Sequence, residues 1–274
     1  MKFFRMLLVV LMLVSATQVG LCGDEEVVLE ITGATLTPSS SQSSTWGWWN
    51  PGKYDEWLSD NESNVALNEA RLLVSGSTYT VILGGEWYPT LSASGSFIDP
   101  QSGETVVEEP TMDISTYDLG LGQIFGRGGR IAVMPWIGAT YVRVSEELRI
   151  DQTGSSTGDG GKNTASSGLW GVAGGADLRV NAWSKLDVIG RVTLRWATGT
   201  RNATLNTQDP GSGQGGAVEL SDSVDQYSWG ADLGLRWAVT GTFEFEGGWR
   251  YRDWTLNDGP ASFGGPYLKV VLVF

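Results

Sequence analysis

Apolar and polar residues alternate with a period of two along most of the chain. In Lys185–Gly199, the residues Leu186, Val188, Val192, Leu194 and Trp196 share one face, opposite Asp187, Arg191, Thr193 and Arg195. In Asp225–Ala238 the apolar face is Tyr227, Trp229, Ala231, Leu233, Leu235 and Trp237, opposite Ser228, Asp232 and Arg236. In Thr242–Leu256, Phe243, Phe245, Trp249 and Tyr251 oppose Glu244, Glu246, Arg250 and Arg252. Successive side chains of a strand point to opposite sides, so this pattern predicts two-faced strands whose register cannot slip by one residue. Reading back from the C-terminus, Phe263–Phe274, Thr242–Leu256, Asp225–Ala238, Lys185–Gly199, Gly168–Val180, Arg130–Ile150, Met112–Phe125 and Thr78–Thr90 form an antiparallel series. Val27–Thr37 and Val65–Val74 fit as two further strands, making about ten. Ala66, Leu67, Glu69, Ala70, Arg71 and Leu72 would also suit a helix. A helix there leaves eight strands, with Cys22–Val74 as an appendage or plug.

The connections alternate in length. Ser75–Ser77, Gly126–Gly129, Asn181–Ser184 and Val239–Gly241 are short turns. Leu91–Thr111, Asp151–Ser167 and Thr200–Val224 read as long polar loops, as does the stretch between Thr37 and Val65, while Asn257–Ser262 is a shorter link. Short turns at one end and long loops at the other predict an all-β, antiparallel up-and-down barrel. In the transmembrane form the short turns face the periplasm and the long loops face outward. A soluble barrel has the same alternation with its apolar face inward. The membrane version is favoured by Trp87, Phe125, Trp170, Trp183, Trp237, Phe243 and Trp254, placed near the ends of the apolar faces as interfacial girdles would be.

Met1 to about Gly23 reads as an export signal, leaving residues 24–274 as one barrel domain. Lys2 and Arg5 precede the apolar run Met6–Val14, which is too short to span a bilayer as a helix. Cys22 would suggest lipidation, although Leu21 is bulky where a lipoprotein signal wants a small residue. No later segment is apolar for long enough to be a membrane helix, so any spanning falls to strands.

The chain ends on Phe274, with Leu272, Val270 and Leu268 at alternate positions before it, opposite Val273, Val271, Lys269 and Tyr267. This C-terminal strand resembles the assembly signal of bacterial outer-membrane β-barrels. At the level of architecture, Val27–Phe274 resembles OmpA-type barrels and small porins. The resemblance implies a place in the bacterial outer membrane, contact with lipid and lipopolysaccharide, and delivery by the barrel-assembly machinery through the C-terminal strand.

Composition narrows the chemistry. The 38 Gly residues among 274 suit a turn-rich β protein. With no His, histidine-dependent triads, metal ligands and haem ligands are excluded, and one Cys excludes disulfide frameworks and structural zinc. Outer-membrane hydrolases, as families, depend on histidine. Glu244 and Glu246 share a face, but flanking arginines would keep both ionised and remove the acid that such a pair needs. No enzyme and no cofactor is expected, and a net charge of −13 argues against nucleic acid.

The alternation places Glu30, Glu69, Glu86, Asp118, Asp177, Asp187, Asp232, Glu244 and Glu246 inside, against Arg71, Arg179, Arg191, Arg195, Arg236, Arg250, Arg252 and Lys269. The lumen is therefore rich in charge yet nearly neutral. Two readings follow: a salt-bridged core that holds the barrel's shape, or a narrow porin whose wall of Arg191, Arg195, Arg236, Arg250 and Arg252 guides a small anionic solute. The acidic excess lies in the outer loops, where it solvates them or meets divalent cations shared with lipopolysaccharide. Trp46, Trp48, Trp49 and Trp57 crowd the first long loop, where aromatics either pack on the rim or bind a surface ligand. A surface-binding or adhesion protein is thus the alternative function. The stretch Asp151–Gly161 lacks the acidic spacing of a calcium loop.

Overall fold

The computed structural model describes residues 26–38, 65–92, 95–98, 105–153, 161–208, 215–256 and 259–274. These form β1 (Glu26–Pro38), β2 (Val65–Ser75), β3 (Thr80–Ser92), β4 (Gly95–Ile98), β5 (Thr105–Gly122), β6 (Ile131–Thr153), β7 (Gly161–Trp183), β8 (Leu186–Gln208), β9 (Gly215–Ala238), β10 (Phe243–Leu256) and β11 (Gly259–Val273). The short β4 pairs only with β5, above the point where β3 stops, and so prolongs the β3 stave. The other ten strands pair antiparallel in chain order. β1 meets β11 and β3 meets β5, which closes a ten-strand up-and-down barrel. At the seam the Phe274 amide donates to the Val27 carbonyl at 2.9 Å and the Val27 amide returns a bond at 3.2 Å.

Residues Val65–Ser75 are a strand, so the eight-strand alternative does not hold. β2 is bonded along its length to β1 (Leu36↔Val65 through Glu26↔Ser75) and to β3. Pairing on two sides outweighs the helical propensity of Ala, Leu and Arg. The connections Leu91–Thr111, Asp151–Ser167 and Thr200–Val224 are also largely strand. β5 starts at Thr105, β6 runs to Thr153, β7 starts at Gly161, β8 runs to Gln208 and β9 starts at Gly215. Likewise β10 and β11 stay paired out to Leu256↔Gly259, which shortens the link expected at Asn257–Ser262. Such stretches resemble loops in sequence because both of their faces carry Thr, Ser, Asn and Gly.

The short turns lie together at one end. In the β5–β6 turn, Gly126 and Gly128 adopt φ of 75° and 76°, and a Cβ on Gly126 would lie 2.2 Å from the Ile131 carbonyl oxygen. At the opposite end the wall is uneven in height. β6, β7 and β8 have 23 residues and β9 has 24, about twice the 9–11 that cross a bilayer, whereas β1, β2, β10 and β11 have 13, 11, 14 and 15.

Two aromatic levels mark the membrane. Phe125, Trp183, Trp237 and Phe274 are exposed near the short turns. Farther up, ring contacts run from Trp87 to Tyr117, Tyr141 and Trp170, and pair Trp196 with Tyr227 and Trp229 with Tyr251. On β9, Tyr227 and Trp237 are separated by about ten residues, roughly 25 Å along the axis at a tilt of about 40°. That equals the height of an outer-membrane apolar band. Between the two levels the outward residues are large and apolar; Leu233 is 65% exposed and Ile137 71%. Trp254, expected in the girdle, instead faces the interior and donates from Nε1 to the Tyr88 hydroxyl at 3.1 Å.

At the upper level the two faces of the wall exchange character. On β5 the outward Leu121, Leu119 and Tyr117 give way to the inward Ile114 and Met112. On β8 the outward Leu194 and Trp196 are followed by the inward Ala197, and on β9 the outward Tyr227 is preceded by the inward Val224. Below the switch the outer face is apolar, as lipid requires, and the interior carries the charged residues. Above it the barrel is built like a water-soluble one, with its apolar side chains inside.

Candidate functional site

The membrane-level lumen is filled by one connected chain of ion pairs. Arg195 bridges Asp118 (2.7 Å) and Glu86 (3.1 Å), and Arg252 links Glu86 (3.0 Å) to Asp232 (2.7 Å). Arg250 joins Asp232 (2.7 Å) to Glu69 (2.5 Å). Arg191 then gathers Glu69 (3.1 Å), Asp177 (2.9 Å) and Glu30 (2.5 Å). Arg71 closes on Asp177 at 2.5 Å. From Glu30 the chain continues through Arg236 (2.7 Å) to Glu246 (2.6 Å), where Lys269 adds a contact at 2.8 Å and the Tyr267 hydroxyl donates at 2.8 Å. Its periplasmic end is Glu244, Arg179 and Asp187, with Arg179 and Asp187 2.6 Å apart.

All the acids and bases that the alternation assigns to the interior belong to this network. They come from every full-length stave except β6. The lumen candidates Arg179, Asp187, Arg191, Arg195, Asp232, Arg236, Glu244, Glu246, Arg250, Arg252 and Lys269 all lie in it; only the Arg179 side chain is substantially exposed, at 49%. Arg250 is fully buried, with its guanidinium 5.1 Å from the Tyr267 ring. Burial of so many charges is tolerable because the carboxylates face cationic donors, the condition under which desolvation is offset. The arginines do not form an open wall. Each is engaged by carboxylates of other staves.

β6 contributes bulk instead of charge. Trp136 points inward over two glycines, with a Cβ on Gly120 falling 2.9 Å, and one on Gly175 3.0 Å, from its ring. Gly138 is needed for a different reason: a Cβ there would come within 2.0 Å of the Leu119 carbonyl oxygen, which would force β5 and β6 apart.

Directly above the charges lies an apolar layer to which all ten full-length staves contribute. It comprises Ala34 and Leu36 of β1, Leu67 of β2, Tyr88 of β3, Met112 and Ile114 of β5, and Val142 and Val144 of β6. Leu169 of β7, Ala197 of β8, Val224 of β9, Trp254 of β10 and Phe263 and Tyr267 of β11 complete it. Leu36, Leu67, Val142, Leu169 and Ala197 have no exposed surface. Above this layer Arg201 and Glu146 form a further inward ion pair. Strand alternation read one element at a time finds neither the layer nor this pair. The signal for the layer is the inversion of the period-two pattern, visible as Met112 and Ile114 falling out of phase with Tyr117, Leu119 and Leu121.

Leu268 and Phe274 of the C-terminal strand are exposed, and Val270 and Leu272 share their outward face, while Tyr267, Lys269 and Val271 are buried inside. Trp46, Trp48, Trp49 and Trp57 lie outside the described residues, as do residues 1–23, where an export signal is expected, and most of Asp151–Gly161. Among the described residues no group of three or more acidic or sulfur side chains is placed to hold a metal ion.

The sequence matches no protein-family profile and no curated protein. Among solved structures, the chain is similar to the outer-membrane protease OmpT of Escherichia coli (10% identity, 91% of this chain and 96% of that one, TM-score 0.48). It is also similar to a major outer-membrane protein of Thermus thermophilus (12% identity, 92% and 100%, TM-score 0.44). A third is Ail, the attachment invasion locus protein of Yersinia pestis (11% identity, 92% and 100%, TM-score 0.32). By its own geometry, with a closed sheet, an apolar belt about 25 Å high and a charged interior, the chain is a transmembrane β-barrel of the outer-membrane type.

Proposed function

We propose that the protein is a non-conducting structural barrel of the outer membrane, anchoring an extramembrane wall rather than passing solutes. The observation that carries this reading is the apolar layer to which all ten full-length staves contribute, lying across the lumen above an ion-paired network. A hydrated solute would have to displace both. Such a layer would obstruct a porin, whereas a structural barrel gains cohesion from it. Liposome swelling in isotonic arabinose tests the proposal. Vesicles carrying refolded protein, with heat-shifted mobility as the sign of folding, should swell no faster than empty ones; rapid swelling would reject the closed lumen.

A surface-binding role for the same barrel is favoured by the height of β6–β9, which carries the wall far beyond the upper aromatic level. Replacing Trp46, Trp48, Trp49 and Trp57 by Ala should then abolish attachment of producing cells to a surface while leaving the barrel folded; unchanged attachment would remove those residues from the role. On either reading Leu268, Val270, Leu272 and Phe274 serve assembly, recognised on the C-terminal strand by the barrel-assembly machinery.

A further inference from the structure

Below the ion-paired network the barrel opens toward the periplasm in a cavity of about 910 Å³, within the range of ligand pockets. Its two walls differ in character. One side is apolar, formed by Leu73, Met134, Ile124, Val28 and Ile189; Leu73 and Met134 are buried, with Val28 and Ile124 packed against them. The floor is the underside of the network, where Glu30, Asp177, Arg191 and Arg236 already satisfy one another.

Arg127, Arg130 and Arg179 surround the opening. Arg179 is paired with Asp187 at 2.6 Å, which leaves Arg127 and Arg130 as the rim cations without an acidic partner. Among the described residues neither Arg127 nor Arg130 has a carboxylate partner; Arg127 donates only to the Gly76 carbonyl, at 3.2 Å. Arg179, Arg191 and Arg236 in the lining are each held by carboxylates, so its uncommitted positive charge is that of Arg127 and Arg130. Two cations without acidic partners among the described residues stand out in a chain with 31 acidic and 18 basic residues. A cationic rim over an apolar wall selects a molecule with one anionic head and a compact apolar body. The head pairs with the rim, and the body lies against Leu73 and Met134, where it is removed from water.

We propose that this periplasmic mouth is a binding site for a small amphipathic organic anion, a carboxylate or sulfonate with an apolar body, held by Arg127 and Arg130. The site does not depend on whether the lumen conducts, because it is complete below the network.

Isothermal titration of 4-phenylbutyrate into the full-length mature protein in phosphatidylcholine nanodiscs, with empty discs subtracted, tests it. Saturable binding at one site per barrel is expected. It should weaken at least about tenfold in the Arg127→Ala/Arg130→Ala variant, two charge-assisted contacts being lost. Binding should persist in Arg143→Ala, on the outer wall. The uncharged 4-phenylbutanamide should fail to bind. Heat-shifted mobility establishes that each variant is folded, and the milder Arg130→Gln replaces the double variant if that one is not. Absence of saturable heat, equal affinity for the amide, or unchanged affinity in the rim variants would overturn the site. Binding that vanishes in phosphatidylglycerol discs would also overturn it, assigning the rim to lipid headgroups.

Discussion

Replacing Arg191 by Met probes how dry the lumen is. Arg191 is 7% exposed and reaches Glu30 at 2.5 Å, Glu69 at 3.1 Å and Asp177 at 2.9 Å. Met keeps much of the volume but removes the charge and all three contacts. The three carboxylates retain Arg236, Arg250 and Arg71 respectively, so none is wholly abandoned. Yet the interior acquires one more uncompensated negative charge. Breaking a buried pair from one side costs about 3–5 kcal/mol. With a urea dependence of about 2 kcal/mol per molar, this lowers the unfolding midpoint by about 1.5–2.5 M. The assay is urea unfolding in phosphocholine vesicles, followed by tryptophan fluorescence. Arg191→Met/Glu69→Gln restores the charge balance and should regain about half of the loss. Because buried pairs are poorly screened, the difference should persist at 1 M salt, where the Debye length is about 3 Å. A loss below about 1 kcal/mol, or one erased by salt, would mean a wet lumen, since exposed pairs behave that way.

Three further outcomes follow from the same geometry. Leu233→Arg, on the lipid face between the aromatic levels, should cost about 2–4 kcal/mol in the same assay, while Thr200→Arg on the outward face above the upper level should cost under about 1 kcal/mol; equal costs would misplace the membrane. Trp254→Ala should destabilise by about 3–5 kcal/mol, by opening a hole in the apolar layer, and Trp254→Phe by about 1 kcal/mol for the lost bond to Tyr88, as read from thermal loss of the heat-shifted band. Gly138→Val should fail to give that band on refolding, because its side chain would meet the β5 backbone; normal refolding would show that β5 and β6 can separate at no cost.

The membrane-level half of the barrel is legible in the sequence because lipid enforces a strict rule there. One face must be apolar and the other may be charged, so the alternation from Leu186 to Trp196 announces its two sides. The lumen charges are legible for the same reason, down to Lys269 between Leu268 and Val270. Their partners are not. Arg191 contacts Glu30 and Glu69 on staves that come together only when the barrel closes, and no local pattern encodes that. The outer half is hard to read because its rule is reversed. Once the wall leaves the lipid, Thr, Ser and Asn suit the outward face, and Ala203 or Ala165 suffices inside. Thr200–Val224 then looks like a loop although most of it is paired strand. The same reversal hides the place of Trp254: it continues no outward aromatic series, since the phase has changed between Tyr251 and Trp254.

Single-channel recording in a planar bilayer decides whether the lumen is closed. Refolded protein whose insertion is established by heat-shifted mobility should give no discrete current steps in 1 M KCl if, as proposed, the ion-paired network and the apolar layer close the barrel. Reproducible steps, altered in ion selectivity by Arg191→Met, would contradict a closed barrel and make the arginines the wall of a pore.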